Sequence, residues 1–417
     1  MAVASVVLDF RRRITTDSIA FSKRGMHVVH IITRFIRGGA DENTQLTCNH
    51  QASAGYEVTL IVGNECDPEM RNGLDPRVQF IALPSMVQPV SPISDAISLI
   101  RIYTLLRRLK PDLVHTHTSK AGVIGRLAAA FSRVPKIVHG VHILSFTNES
   151  PMRRVSYLWL ERICGVYTHA FVHVSTGMRE ECLRNGVGSG AVHAVAESGI
   201  EIARFRNPPP PADACNLLRS PIGSTKRPFV ILSLAALERR KGQRQFLKVF
   251  RLIVEQRPNS ILLLAGDGSE RSEVEADVRR LGLSRHVRLL GYRDDPERLL
   301  AVADLFIVSS HREGLPRAAV QAAIAGVPII STALPGISSI VHDNETGFVV
   351  PIDRLDDMEP LIRRLIDEPS LRMRMHTSLT GIDFSAWAID RMIEKIDAVY
   401  AWVMRGSREA IVREASR

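Results

Sequence analysis

From Met26 onward, short apolar runs rich in β-branched residues alternate with longer stretches of helical periodicity. The runs fall at 27–32, 57–62, 78–83, 112–117, 136–141 and 170–175, and again at 229–234, 260–266, 287–292, 304–310 and 327–332. Strand followed by helix, repeated in this way, builds βαβ units, and their crossovers make a parallel sheet covered on both faces. The pattern breaks once, at Pro208-Pro209-Pro210-Pro211, which can neither extend a helix nor pair in a central strand. The sequence therefore predicts two tandem doubly wound α/β domains with a cleft between them. An extension (1–25) precedes a first domain over 26–206. A linker (207–228) leads to a second domain over 229–383, followed by an amphipathic helix over 384–405 and a tail (406–417). Ligands of such sheets sit at the carboxyl ends of the strands.

Composition narrows the classes. A chain that is 45% hydrophobic and 24% charged is neither disordered, collagen-like nor disulfide-stapled. No uncharged apolar run reaches the 18 residues of a membrane span. The cysteines, Cys48, Cys66, Cys164, Cys182 and Cys215, are scattered and form no CxxC pair. They read as reduced thiols of a cytoplasmic protein without a zinc or iron–sulfur site. Arg11-Arg12-Arg13 has no long apolar stretch beside it, so the leader is not a secretory signal. Asp9 and Asp17 weigh against a transit peptide, and the extension is expected to be dispensable. The net charge is +10; residues 1–206 carry 24 basic and 17 acidic side chains, the remainder 30 and 27. The front-half excess suits an anionic ligand or an anionic membrane surface, or else simply reflects a basic composition. No basic stripe interleaves with aromatics, so nucleic acid is not an expected partner.

Three segments carry candidate chemistry. Gly38-Gly39 follows the first apolar run and lets backbone amides approach an anion near a helix start, although a plain turn reads equally well. Gly266-Asp267-Gly268 reads first as a turn. In the third, Ser309 through Pro316, a strand ends, a polar loop carries Glu313, and a helix begins at Pro316 with its unpaired N–H groups and positive dipole end. Glu313 could hold sugar hydroxyls or cap the helix. Gln321 lies within that helix.

Here the chain resembles glycosyltransferase family four: retaining, nucleotide-sugar-dependent enzymes with the GT-B fold of two Rossmann-like domains. Glu313-Gly314-Leu315-Pro316, the second-Glu position at Gln321, Gly326-Val327-Pro328 and Gly347-Phe348-Val349-Val350 match the family signature in order. Gly38-Gly39-Ala40-Asp41 resembles its Gly-Gly-Ala-Glu loop, and Leu237 to Gly242 its phosphate segment. His115 to Gly122, with Gly125-Arg126-Leu127, resembles a subset that builds bacterial surface polysaccharides. The likeness spans residues 26–405. It implies Gly38 and Gly39 beside the donor diphosphate and Lys241 on the phosphates. It implies Glu313 at the donor sugar, amides of Gly314, Leu315 and the helix opening at Pro316 at the sugar and diphosphate, and Gln321 at the ribose. His142 would face the transferred sugar, and the last helix would return to the first domain. The co-substrate would be a UDP- or GDP-linked sugar, with no other cofactor and no metal, and the acceptor a glycan or lipid-linked glycan.

Two positions depart from the family pattern. Its second Glu is Gln321, and the Arg ahead of the phosphate lysine is Ala236. These changes open a second reading, a catalytically degenerate nucleotide-sugar-binding or partner subunit; a sugar epimerase is a third. His115 and His117, two apart on one run, share a face and with His139 and His142 could suggest a metal, but no carboxylate or cysteine completes a ligand set. Arg153 to Leu160 reads as a core helix with a solvated arginine pair or as a docking segment for an anionic membrane leaflet, which would put the protein peripherally on the inner membrane face.

Overall fold

A computed structural model of the chain describes residues 25–405 and the backbone of Val6–Leu8. The chain divides into two units, one formed by residues up to Gly199 and from Ala386 on, the other by Ile200–Ser385. The boundary thus falls ahead of the prolines: residues 200–206, expected in the first domain, and the segment read as a linker both belong to the second unit, with short helices at Ile202–Phe205 and Ala214–Leu217.

The first unit is a parallel sheet of β1 (Val6–Leu8), β2 (His27–Phe35), β3 (Glu57–Cys66), β4 (Gln79–Ala82), β5 (Leu113–His117), β6 (Lys136–Val141), β7 (Ala170–His173) and β8 (Val192–Val195), in the order β1-β8-β7-β6-β5-β2-β3-β4. The central strands are buried on both faces, which is why they read as unbroken apolar runs. On one face Val28, Ile32 and Leu60 pack with Met392, Ile396 and Tyr400 of the helix Ile389–Met404. On the other, Val29, Ile31 and Val114 pack with Ile102, Leu106 and Ala128 of the helices Pro92–Leu109 and Ser119–Phe131. The chain winds outward through β2, β3 and β4, then returns to lay β5 on the opposite side of β2. That reversal, with Val28 to Ile31 beside Leu113 to Thr116, opens a crevice at the strands' carboxyl ends.

Most of the expected extension lies outside the described residues. Within it, Val6–Leu8 pairs with Val192 to Ala194 and forms the sheet's edge strand, so the stretch is not wholly separate from the fold. The expected tail, 406–417, also lies outside the described residues.

The second unit repeats the plan with β9 (Phe229–Leu234), β10 (Ser260–Ala265), β11 (Val287–Gly291), β12 (Leu305–Val308), β13 (Ile329–Thr332) and β14 (Gly347–Val350), in the order β11-β10-β9-β12-β13-β14. Its core gathers Ile231, Leu262 and Leu264 with Phe246, Phe250 and Ile253 of the helix Gln243–Gln256. Each such side chain contributes about 1.5–3 kcal/mol on burial. The reversal falls between β9 and β12, where Ile231 and Leu232 pair with Leu305 and Phe306.

Candidate functional site

In the second unit the expected residues converge on that reversal. The loop after β9 carries Lys241 and the loop after β12 carries Glu313. Lys241 Nζ lies 2.7 Å from Glu313 Oε1, and each side chain is only 12% exposed. The Ser310 hydroxyl donates to the same carboxylate oxygen. Burial alone would raise the Glu313 carboxyl, but Lys241, Arg240 and these hydrogen bonds outweigh it and hold it below its ordinary value. Burial pulls Lys241 down, and the Glu313 charge opposes that pull.

The backbone explains why these loops meet. Gly242 has φ 71°, and a Cβ there would stand 2.1 Å from the Ser309 carbonyl oxygen, so glycine alone fits. Ser309 Oγ donates to the Lys241 carbonyl at 2.8 Å, and the His311 N–H to that of Arg240 at 2.7 Å. Gly266 and Gly268 resolve as a structural device. A Cβ on either would strike the carbonyl of Ala235 or Leu237, so the turn after β10 buttresses the loop ahead of Lys241. Gly314, Leu315 and Pro316 are buried at the start of the helix Arg317–Ile324, with Pro316 as its N-cap rather than its first residue. Gln321 is half-buried further along that helix. At Ala236 no guanidinium is present, but Arg240 acts electrostatically on both Lys241 and Glu313, supplying positive charge from four residues on.

In the first unit Gly38 caps the helix Gly39–Ser53 at the end of β2. Asp41 of that helix is buried, which pushes its carboxyl up to about 7 against the pull of Arg34 and two backbone N–H groups. His142 follows β6. With Asn43, Thr47, His115, His117 and Met392 it lines a small cavity, so the glycine-capped helix and His142 share one wall. Thr118, directly after β5, has φ 62° and ψ 167°, a conformation that costs a β-branched residue about 1–3 kcal/mol. Histidines fill both faces. His30 sits beside His115 in register and shares the face of His117, while Thr116, His139, Phe171 and His193 run in register across the other. The nitrogens of His30, His115 and His117 lie within 4.8 Å of one another, a spacing that could admit a metal ion. Burial drives His115, His117 and His139 well below the ordinary imidazole range. His30, Gln51 and Tyr400 drew no notice in the sequence, because strand register brings His30 to this place and the packing of the helices Gly39–Ser53 and Ile389–Met404 on the sheet brings Gln51 and Tyr400.

The segment from Arg153 to Leu160 lies on the helix Pro151–Val166. Only Glu161, Cys164 and Gly165 of that helix are buried, and Glu161 pairs with the fully buried Arg126 at 2.7 Å. Met152, Val155, Trp159, Ile163 and Val166 form an outward stripe, with Met152 81% and Trp159 62% exposed. The core-helix reading therefore fails for this face. Among the described residues no helix is long and apolar enough to cross a membrane.

Residues 37–201 match the profile described as Glycosyltransferase Family 4, and residues 216–378 that of Glycosyl transferases group 1. The chain belongs to glycosyltransferase family four and is a retaining, nucleotide-sugar-dependent enzyme. It is 28% identical over 351 residues to the UDP-Gal:alpha-D-GlcNAc-diphosphoundecaprenol alpha-1,3-galactosyltransferase of Escherichia coli, covering 83% of this chain and 89% of the relative. It is 25% identical over 292 residues to the capsular polysaccharide biosynthesis glycosyltransferase CapM of Staphylococcus aureus, covering 69% and 76%. In fold it is similar to Anabaena Alr3699/HepE, solved with UDP and glucose, at TM-score 0.73 and 19% identity over 90% of this chain and 99% of that one.

Proposed function

We propose that the enzyme transfers a sugar from a UDP-linked donor to a sugar carried on a polyprenyl diphosphate, during assembly of a surface polysaccharide. The observation that carries the reading is the buried Lys241–Glu313 pair at the strand reversal of the second unit. Leaving-group departure concentrates negative charge on the diphosphate. Lys241, the amides of Gly314 and Leu315 and the helix opening at Pro316 meet that charge in a dry setting, where such contacts are strongest. Glu313, held ionised by Lys241 and Arg240, accepts hydrogen bonds from donor-sugar hydroxyls. Gly38 and Gly39 offer backbone amides to the diphosphate, His142 engages the transferred sugar, and Gln321 engages the ribose. Similarity to the undecaprenol-linked galactosyltransferase supports both the UDP donor and the lipid-linked acceptor.

A lipid-linked acceptor requires access to a leaflet. The stripe from Met152 to Val166, with the exposed Arg153 and Arg154 beside it, has the form of an interfacial helix: an apolar face to enter the headgroup boundary and cations for anionic lipid. We assign it the peripheral docking role at the inner membrane face.

The test pairs a panel of UDP- and GDP-sugars with an undecaprenyl-diphosphate-linked acceptor, scored by nucleoside diphosphate release. Release confined to UDP-sugars and dependent on the acceptor is expected; release from GDP-sugars alone would overturn the donor assignment. Docking is read by co-sedimentation with vesicles containing one-third anionic phospholipid. Binding should weaken with salt and with Trp159→Ala, and no binding at low salt would remove the membrane role.

A further inference from the structure

His142 heads a chain of hydrogen-bonded side chains that runs inward from the cavity. Its Nε2 lies 3.3 Å from His117 Nδ1. His117 Nε2 lies 2.9 Å from His30 Nδ1, and His30 Nε2 lies 2.8 Å from Gln51 Oε1. His30, Gln51 and His117 are almost wholly buried. Burial holds His30 down at about 4 and His117 well below its ordinary value, so both stay uncharged at neutral pH.

A neutral imidazole has one N–H and one lone pair. Imidazoles joined in a row can all be bonded only when every proton points the same way. The terminal group sets that direction, because a carbonyl oxygen can only accept. His30 must then carry its proton on Nε2 and offer Nδ1. His117 must donate from Nε2 and offer Nδ1, and His142 must donate from Nε2.

We propose that Gln51, acting through His30 and His117, fixes His142 in its Nε2–H tautomer, so that Nδ1 is the acceptor His142 brings to a substrate hydroxyl. The inference rests on reading His142 as the group that engages the transferred sugar. Gln51, His30 and His117 are positioning residues.

Two further features serve the same end. A Cβ on Gly140 would lie 3.0 Å from His117 Nδ1 and 3.1 Å from His142 Nε2, so the glycine leaves the space in which these rings meet. The strained Thr118 follows His117 directly, and its Oγ1 lies 3.2 Å from that of Thr33 on β2, which pins the end of β5. The chain also uses the nitrogens that a metal would need. His30 Nδ1 and His117 Nε2 face each other, and His30 Nε2 is on Gln51, so an ion shared by His30, His115 and His117 would break it.

The test is a long-range 15N–1H spectrum of the full chain labelled at histidine, with His142 identified by the signals lost in His142→Gln. Wild type should show His142 Nε2 protonated and Nδ1 bearing the lone pair. Gln51→Leu should shift both signals toward a mixture of tautomers, lower kcat about tenfold and leave donor KM within about twofold. His142 protonated on Nδ1 in wild type, His142 signals unmoved in Gln51→Leu, or a stoichiometric metal on these histidines would each overturn the proposal. The wild-type spectrum needs no substrate and, for its assignment, only His142→Gln. It decides the matter even where Gln51→Leu fails to fold, and it separates this failure from failure of the transferase reading.

Discussion

Both units place their candidate site residues where the strand order reverses, yet β5 ends among uncharged imidazoles and β12 is followed by an ion pair. The first arrangement has directed lone pairs and N–H groups and little charge, which suits the hydroxyls of a sugar. The second has a buried cation and a buried anion, which suits a substrate that is diphosphate at one end and polyol at the other. The same winding supplies the same address in both sheets, and the side chains at the strand ends supply the chemistry. The division also carries different risks. A neutral chain that loses a member loses a hydrogen bond, whereas a buried ion pair that loses a member leaves an uncompensated charge.

The pair is therefore where substitution should do the most damage. Lys241→Ala and Glu313→Ala should each lower kcat/KM by about 1,000-fold, through loss of charge stabilisation in a dry site. Each should also cost about 3–5 kcal/mol of stability, and the double variant should cost less than the two singles summed. Steady-state kinetics and urea unfolding of the three variants read both effects. Turnover near wild type in either single variant would break the assignment of the second unit's site.

On the neutral side the expected loss is smaller and falls differently. His142→Ala should lower kcat by about 10- to 100-fold with donor KM changed only severalfold, because a contact tightened mainly in the reacting state appears in kcat. A loss confined to donor KM would make His142 a plain binding group.

Near the imidazoles of the first unit one buried carboxyl titrates. Burial raises Asp41 to about 7. The folded chain therefore keeps a proton that the unfolded chain has released. The stabilising share of that proton is complete below the usual carboxylate value and is lost as pH climbs through about 7. Asp41→Asn cannot ionise, so it should gain on wild type between pH 5 and pH 8, by no more than about 1.4 kcal/mol per pH unit. Unfolding midpoints at three pH values measure the gap, and parallel curves would mean that Asp41 stays ionised in the fold.

How much of this was open to sequence reading also differs between the two regions. The ion pair was legible because its parts sit in ordered motifs: Lys241-Gly242 after one strand and Glu313-Gly314-Leu315-Pro316 after another. The imidazole chain was legible only at His117 and His142. His30 joins it because β2 lies beside β5 in a register that no single segment encodes, and Gln51 because the helix Gly39–Ser53 brings its side chain to His30. Periodicity likewise passed over Val6–Leu8 and Val192–Val195, which are too short to stand out until each has the other as a neighbour. The helix Pro151–Val166 gave an apolar stripe but not its direction. The buried Glu161–Arg126 pair, with Cys164 and Gly165, shows which side faces inward.

The smallest expected effect lies at Gln321, and it tests whether the charged half of the comparison is complete. A carboxylate there could accept from two ribose hydroxyls, whereas an amide has one accepting oxygen and an NH2 that donates in the opposite sense. The missing charge assistance is worth about 1 kcal/mol, or five- to tenfold in affinity. Gln321 stands on the helix behind the loop that holds Glu313, and the ribose is remote from the breaking bond, so the contact should be equal in ground and transition states. Gln321→Glu should therefore lower donor KM about fivefold and leave kcat within about threefold. A rise in kcat of about 100-fold or more would mean that the amide suppresses the chemical step itself. The wild-type pairing of Lys241 with Glu313 would then be only part of the working site.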